Sequence, residues 1–394
     1  MTLRTLYVCL CVLLTCMPAM AGGEGDNTVV LGAERTEQYA PMLRGKRVAL
    51  FSNHTGIVPD GRHTLDVMLD AGIDVRMLYA PEHGFRGTAD AGAKVSDATD
   101  ERTGLHVRSL YGAGKQKALS PAALKDIDVI VCDIQDVGLR YYTYYITMAE
   151  LMEAAAANGK EFVVFDRPNP NGMTVDGPSL DPSLRSGVGR FPMPVMHGLT
   201  LGEMARMAVG EGWLKGGAKP RLTVIPCLGY THSTRYRLPV APSPNLKDMK
   251  AVYLYGSTCY FEGTPVSLGR GTEMPFTIYG HPDMKGPFSF TPRSMKGAVN
   301  PPLKGRLCHG RDLRSLSDDE IIAAGVDFSY VIDAYRALSI GEKFFTRMFD
   351  LLAGNVEIRR MIIDGDTPEQ IRQSWADDVE YFRERRAPYL LYPE

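Results

Sequence analysis

The sequence predicts an α/β protein: a mostly parallel, doubly wound sheet with a smaller α/β domain after it. Three observations carry this. Apolar, β-branched runs recur at regular intervals, at 47–52 (RVALFS), 75–80 (VRMLYA), 106–111 (HVRSLY), 128–134 (DVIVCDI), 161–166 (EFVVFD) and 222–227 (LTVIPC). Runs this continuous imply strands covered on both faces. Helix-like segments at 64–71, 121–125, 142–158 and 201–211 fall between the runs, so the order is βαβα and the strands should be parallel. Finally, 394 residues exceed the roughly 250–300 at which single hydrophobic cores stop growing, so two domains are expected.

Taken in chain order, residues 1–21 read as a secretory signal. Arg4 supplies a basic start, an apolar run follows from Leu6 to Leu14, and Ala19-Met20-Ala21 gives a small-x-small cleavage pattern. A competing reading takes LLTC as a lipobox with Cys16 lipidated, but Thr15 fits poorly there. Export to the periplasm without stable membrane insertion is therefore expected, since the apolar run is too short to span a bilayer. Residues 22–240 should form the sheet domain. From about Pro239 the texture turns rich in proline and glycine, and 241–394 should form the second domain, with helical pattern at 318–324, 332–339, 343–352 and 368–386.

Composition excludes several functions. With 44 Lys+Arg against 46 Asp+Glu there is no broad positive field for nucleic acid, and a small neutral or anionic ligand fits better. FSNHTGIVPDG after the first strand lacks the G-x-G-x-x-G spacing that seats a pyrophosphate. No G-x-S-x-G, Walker or H-E-x-x-H sequence is present, so serine-hydrolase, nucleotide and zincin chemistry lose their usual signals. Eight scattered histidines without ligand spacing predict no metal, and no cofactor is expected. Cys132, Cys227, Cys259 and Cys308 remain after the signal, in settings that suggest free buried thiols.

In an open parallel sheet, ligands bind beyond the carboxyl ends of the strands. Those ends collect Asn53-His54, then Pro81-Glu82-His83, then Asp133, Gln135, Asp136 and Arg140, then DRPNPNG from Asp166 to Gly172. Ordinary structural roles compete for each. Asp136 could cap the helix that starts near Tyr142, and DRPNPNG is a sound turn on its own chemistry. Glu82, between proline and histidine at a strand end, is the hardest to explain as structure, and confinement would raise its pKa toward useful acid behaviour. Downstream, FEGTPVSLGRGTEMPF gathers Glu262, Ser267, Arg270 and Glu273 among glycines, as in a loop that approaches a ligand or in a plain surface ion pair.

APEHGFRG, DIQDVGLRYYTY, DRPNPNG, FEGTPVSLGRGTE and RAPYLLY together make the chain resemble the DUF1343 family, associated with NamZ-type exo-β-N-acetylmuramidases. The resemblance implies a Rossmann-like N-terminal domain, a smaller C-terminal α/β domain and an active site in the cleft between them. It implies release of terminal non-reducing N-acetylmuramic acid from peptidoglycan fragments, with Glu82 as the catalytic residue. A carboxylic acid that protonates the glycosidic oxygen, beside a second group, is the general logic of glycoside cleavage. Asp133 and Asp136 are the candidates for that second group, followed by Glu262, or the substrate's own acetamido group takes part. The substrate's lactyl carboxylate calls for an arginine, and Arg86, Arg140, Arg167 and Arg270 all lie in the motifs. Asn53, His83, Tyr141, Asn169 and Glu262 complete the expected binding set, with Tyr142 and Tyr144 as further sugar contacts. A non-catalytic cell-wall sugar binder is the alternative, and export argues against a nucleotide-sugar transferase.

Overall fold

The computed structural model describes residues 29–81, 84–85, 97–110 and 118–394. Glu82, His83, Arg86, the signal segment and Cys16 lie outside the described residues. The large sheet contains β1 (Arg47–Ser52), β2 (Asp74–Ala80), β3 (Ala98–Thr99), β4 (His106–Ser109), β5 (Val129–Asp133), β6 (Glu161–Phe165) and β9 (Arg221–Ile225) in the order β3-β4-β2-β1-β5-β6-β9. All neighbours are parallel except the short edge strand β3. Two further short strands, β7 (Val175–Asp176) and β8 (Met196–His197), pair antiparallel in the long connection between β6 and β9.

The apolar runs are buried on both faces, with the strand's period of two. On β1, Val48 and Leu50 enter one core cluster while Ala49 and Phe51 enter the other, and β5 and β6 split in the same way. Helices α1 (Thr36–Leu43) and α2 (Thr64–Asp70) cover the first face. Helix α3 (Pro121–Leu124), α4 (Tyr144–Ala157) and α5 (Leu201–Gly210) cover the second. The start of α5 is written locally: Glu203 N donates to Thr200 Oγ1 at 3.2 Å and Thr200 N to Glu203 Oε2 at 2.9 Å, a reciprocal cap.

The second half begins with α6 (Met249–Thr258), a helix the proline- and glycine-rich texture concealed. It is followed by an antiparallel sheet of β10 (Ile278–His281), β11 (Phe288–Phe290) and β12 (Cys308–Asp312), in the order β10-β12-β11. Helices α7 (Asp318–Ala324), α8 (Ser329–Leu338), α9 (Arg347–Ala353), α10 (Glu357–Asp364), α11 (Pro368–Gln373) and α12 (Ala376–Arg386) complete it. The periodic stretch 368–386 is thus two helices. Between them Trp375 is buried and its indole Nε1 donates to Asp176 Oδ1 at 2.9 Å, a tertiary anchor no local pattern encodes. One continuous buried cluster runs from Ala49 and Phe51 through α4, α5 and α6 to Phe349 and Phe382, so the two halves share a core.

The C-terminal tail returns to the large sheet. Tyr392 donates its hydroxyl to Asp166 Oδ2 at 2.6 Å and accepts from Cys227 N at 2.9 Å, while Leu391 N donates to Glu203 Oε1 at 2.8 Å. Cys132, Cys227, Cys259 and Cys308 are free and buried. No helix of the described residues is long and apolar enough to cross a membrane.

Candidate active site at the switch of strand order

Strand order reverses between β1 and β5, since β2 and β4 lie on one side of β1 and β5, β6 and β9 on the other. In an open parallel sheet the chains leaving such neighbouring strands run to opposite faces, and the carboxyl end between them is where a binding crevice is expected. Side chains lace its floor. Asn53 Oδ1 accepts from Thr55 N at 2.9 Å and Thr55 Oγ1 at 2.6 Å, its Nδ2 donates to the Tyr144 hydroxyl at 3.0 Å, and Thr55 Oγ1 accepts from Gln135 N at 3.0 Å. Asn53 is fully buried, and each polar atom of its side chain is occupied in shaping the floor.

Asp133 and Arg167 pair across the ends of β5 and β6, with Nε 2.6 Å from Oδ1 and Nη2 2.9 Å from Oδ2. Arg167 Nη1 also donates to Ile57 O at 3.0 Å, tying down the segment after β1. Both residues are buried, so this bidentate pair is part of the framework. Neither the catalytic role expected of Asp133 nor the ligand-binding role expected of Arg167 agrees with such occupancy.

Arg140 departs further from expectation. It is entirely buried, and its Nη1 donates to Pro178 O at 2.7 Å and Met193 O at 2.8 Å. Its Nη2 donates to Leu352 O at 3.0 Å and Ala353 O at 2.7 Å. Four carbonyls from three segments hold a cation that joins the two halves, well removed from any ligand role. The close approach demands glycine at 354, where φ is 73° and a Cβ would lie 2.4 Å from Nη2. Asn169 is also structural: its Nδ2 donates to Leu199 O at 3.0 Å and its Oδ1 accepts from Asn171 N at 2.8 Å. Its amide fills the space beside Gly138, where φ is 77° and a Cβ would meet Oδ1 at 2.2 Å. The DVG and DRPNPNG motifs are therefore packed against each other.

Asp136 is different. It caps no helix, because the residue before α4 is Thr143. Oδ1 accepts from Gly138 N at 2.7 Å, and Oδ2 is buried with no hydrogen-bond partner among the described residues. Burial dominates and pushes its carboxyl up to about 7, against smaller opposing effects of the Gly138 and Val137 amides. Of the two aspartates predicted as catalytic, only this one keeps an uncommitted oxygen.

Beside this floor lies a cavity of about 370 Å³ whose walls come from both halves. Tyr141, Tyr142, Thr143, Tyr144, Gly187, Val188, Ser243, Asn245 and Leu246 come from the first half, and Tyr255, Glu262, Arg270 and Phe276 from the second. The tyrosine hydroxyls stitch the walls together. Tyr141 donates to Tyr255 O at 2.8 Å, Tyr142 donates to Pro242 O at 2.8 Å, and His54 Nε2 reaches Ala241 O at 2.9 Å. In the same cavity Arg270 pairs with Glu262, Nη2 to Oε1 at 2.6 Å, and its guanidinium carbon lies 5.0 Å from the centre of the Phe276 ring. The structure thus brings Tyr141, Tyr142, Tyr144, Glu262 and Arg270 of the predicted residues into one cavity. Tyr255, Phe276, Ser243 and Asn245 were missed. Phe276 closes the FEGTPVSLGRGTEMPF motif, which was the available signal, whereas the others sit in stretches with no chemical pattern. Among the described residues no group of three or more His, Cys, Asp or Glu side chains is arranged to hold a metal ion.

Residues 48–250 match the family model described as exo-beta-N-acetylmuramidase NamZ, N-terminal, and residues 253–392 match its C-terminal counterpart. The chain belongs to the NamZ family. It is 37% identical over 379 residues to the peptidoglycan beta-N-acetylmuramidase NamZ of Bacillus subtilis (strain 168), covering 90% of this chain and 89% of that one. Two solved DUF1343 family proteins from Bacteroides fragilis NCTC 9343 share the NamZ fold seen here. One is 50% identical with a TM-score of 0.87, over 93% of this chain and 99% of that one. The other is 31% identical with a TM-score of 0.74, over 92% and 99%. The boundary between the two NamZ models falls inside α6, whose residue Tyr255 lines the cavity.

Proposed function

We propose that this protein is an exported exo-β-N-acetylmuramidase that hydrolyses terminal non-reducing β-N-acetylmuramic acid from peptidoglycan-derived fragments, with Glu82 as general acid. The observation that carries the reading is the cavity whose walls are divided between the two NamZ-matched halves, joined through Tyr144 and Asn53 to the strand-order switch where an α/β sheet keeps its ligands. Its mixture of tyrosines, one ion pair and small polar groups suits a sugar better than an apolar ligand or a nucleotide. Glu82 follows Pro81 at the end of β2, the strand beside β1, and the support for its role is that position in the sequence together with the P-E-H-G motif.

The second group is Asp136 in this reading, because both oxygens of Asp133 are committed to Arg167 and Glu262 spends one of its oxygens on Arg270. A carboxyl of Asp136's kind, buried with one free oxygen, is poised to change its protonation when a sugar or a water displaces its surroundings. Export rests on the basic, apolar and small-x-small order of residues 1–21. Incubation of the purified protein with a chromogenic β-N-acetylmuramide tests the activity directly: release of the chromophore is expected. No release at any pH, with the sugar still bound, would leave a sugar-binding protein instead.

A further inference from the structure

We infer that Arg270 is the receptor for the lactyl carboxylate of the terminal muramic acid, and so the residue that selects this sugar over N-acetylglucosamine, which lacks the lactyl group; this rests on the function proposed above. Of the arginines in the motifs, Arg140 is consumed by four carbonyls and Arg167 by Asp133 and Ile57, while Arg86 lies outside the described residues. Among the described residues that line the cavity, Arg270 is the cationic side chain.

The shape of its guanidinium then matters. Glu262 uses a single oxygen, Oε1, to accept from Nε at 3.2 Å and from Nη2 at 2.6 Å. That occupies the side edge of the fork. Nη1 makes no hydrogen bond among the described residues, and Nη2 carries a second hydrogen. The end edge, one N–H from each terminal nitrogen, therefore remains for a second carboxylate, and it matches the two oxygens of that group. A lysine would offer a point charge without this second edge.

The surroundings hold the fork still. The Phe276 ring lies 5.0 Å under the guanidinium carbon, and Phe276 has φ 65°, a backbone conformation that a bulky residue rarely adopts. It persists because Phe276 N donates to Leu268 O at 2.8 Å, Thr258 Oγ1 donates to Phe276 O at 3.0 Å, and the Tyr255 ring packs edge-on at 4.8 Å. Local strain held by several contacts is a mark of a functional position. Glu262 lets the cation wait in an aromatic cavity without standing unpaired, and it leaves the end edge of the fork without a partner among the described residues.

The test compares the free sugar acid with its uncharged twin. Binding of N-acetylmuramic acid, of its lactyl methyl ester and of N-acetylglucosamine is measured by calorimetry or by competition against the chromogenic muramide. The native protein should prefer the acid over the ester by about 10- to 100-fold, the effect of charge-assisted hydrogen bonds. Arg270→Gln should abolish that preference by weakening acid binding far more than ester binding, with Arg270→Lys between the native protein and Arg270→Gln. A preference that survives in Arg270→Gln, or one absent from the native protein, overturns the assignment while release of the chromophore still supports the muramidase reading. A native protein that neither binds nor cleaves muramides overturns that reading, and this assignment with it. If Arg270→Gln fails to fold, Glu262→Gln decides: it keeps an acceptor for Nε and Nη2 but removes the competing charge, so acid binding should tighten several-fold and ester binding should not. Equal changes for both ligands would overturn the proposal.

Discussion

Asp133 and Arg167 form a bidentate ion pair sealed beneath the candidate site, with Nε–Oδ1 and Nη2–Oδ2 distances of 2.6 and 2.9 Å. Their side chains are 0% and 3% exposed, so removing either partner strands a charge away from water. Asp133→Asn is expected to cost about 3–5 kcal/mol in urea unfolding, whereas an apolar replacement of both residues should cost clearly less than the sum of the single changes. Additive single and double variants would show that the pair is not coupled.

Arg140 provides a second stability prediction and checks its reassignment from ligand binding to framework. Arg140→Lys cannot reach four carbonyls from one planar group, and loss of two charge-assisted bonds should cost about 3 kcal/mol or more. The folded fraction should keep its KM for a muramide substrate. A stable variant with a strongly raised KM would return Arg140 to the binding site.

Asp136 gives the pH dependence. Its carboxyl is raised by burial from 3.8 to about 7, so the native protein holds a proton that the unfolded chain releases between those values. The stability owed to this group is therefore complete below about pH 4, falls as pH rises toward 7 and is constant above that. Asp136→Asn removes the dependence. Its melting temperature relative to the native protein should climb by several degrees between pH 4 and 7 and then level; a difference that is flat in pH would mean that Asp136 is ionised throughout.

For Glu82, the conservative change to Gln keeps size and removes the transferable proton. With a poor leaving group the rate should fall by at least about 10²-fold, the usual contribution of positioned acid catalysis. An activated aryl leaving group should lose less, and binding should persist. A Glu82→Gln variant with an unchanged melting curve that turns over both substrates at near-normal rates would take Glu82 out of the mechanism, leaving Asp136 as the next residue to test.

The sequence by itself determined the large sheet, because strands buried on both faces must be apolar at every position. The 47–52, 128–134 and 161–166 runs could hardly be anything else, and they correspond to β1, β5 and β6 within one or two residues at each end. It also determined which segments meet at the carboxyl ends, since parallel strands leave all their exits on one side. Family membership was legible for the same reason of length: several long motifs spread over the whole chain. What the tertiary structure decided was the work of each charged side chain within those motifs. Asp133, Arg140, Arg167, Asn169 and Asp136 look alike in a sequence, as polar residues at strand ends. Only their partners distinguish an ion pair, a carbonyl-bound cation and an amide wedged against Gly138 from a carboxyl with one oxygen to spare, and those partners lie 31 to 213 residues away or, for Asp136 Oδ2, are absent among the described residues. The same holds for α6, for the break at Trp375 and for Tyr392 beneath Asp166: burial in a shared core and long-range hydrogen bonds fix them, and neither leaves a periodic trace in the local sequence.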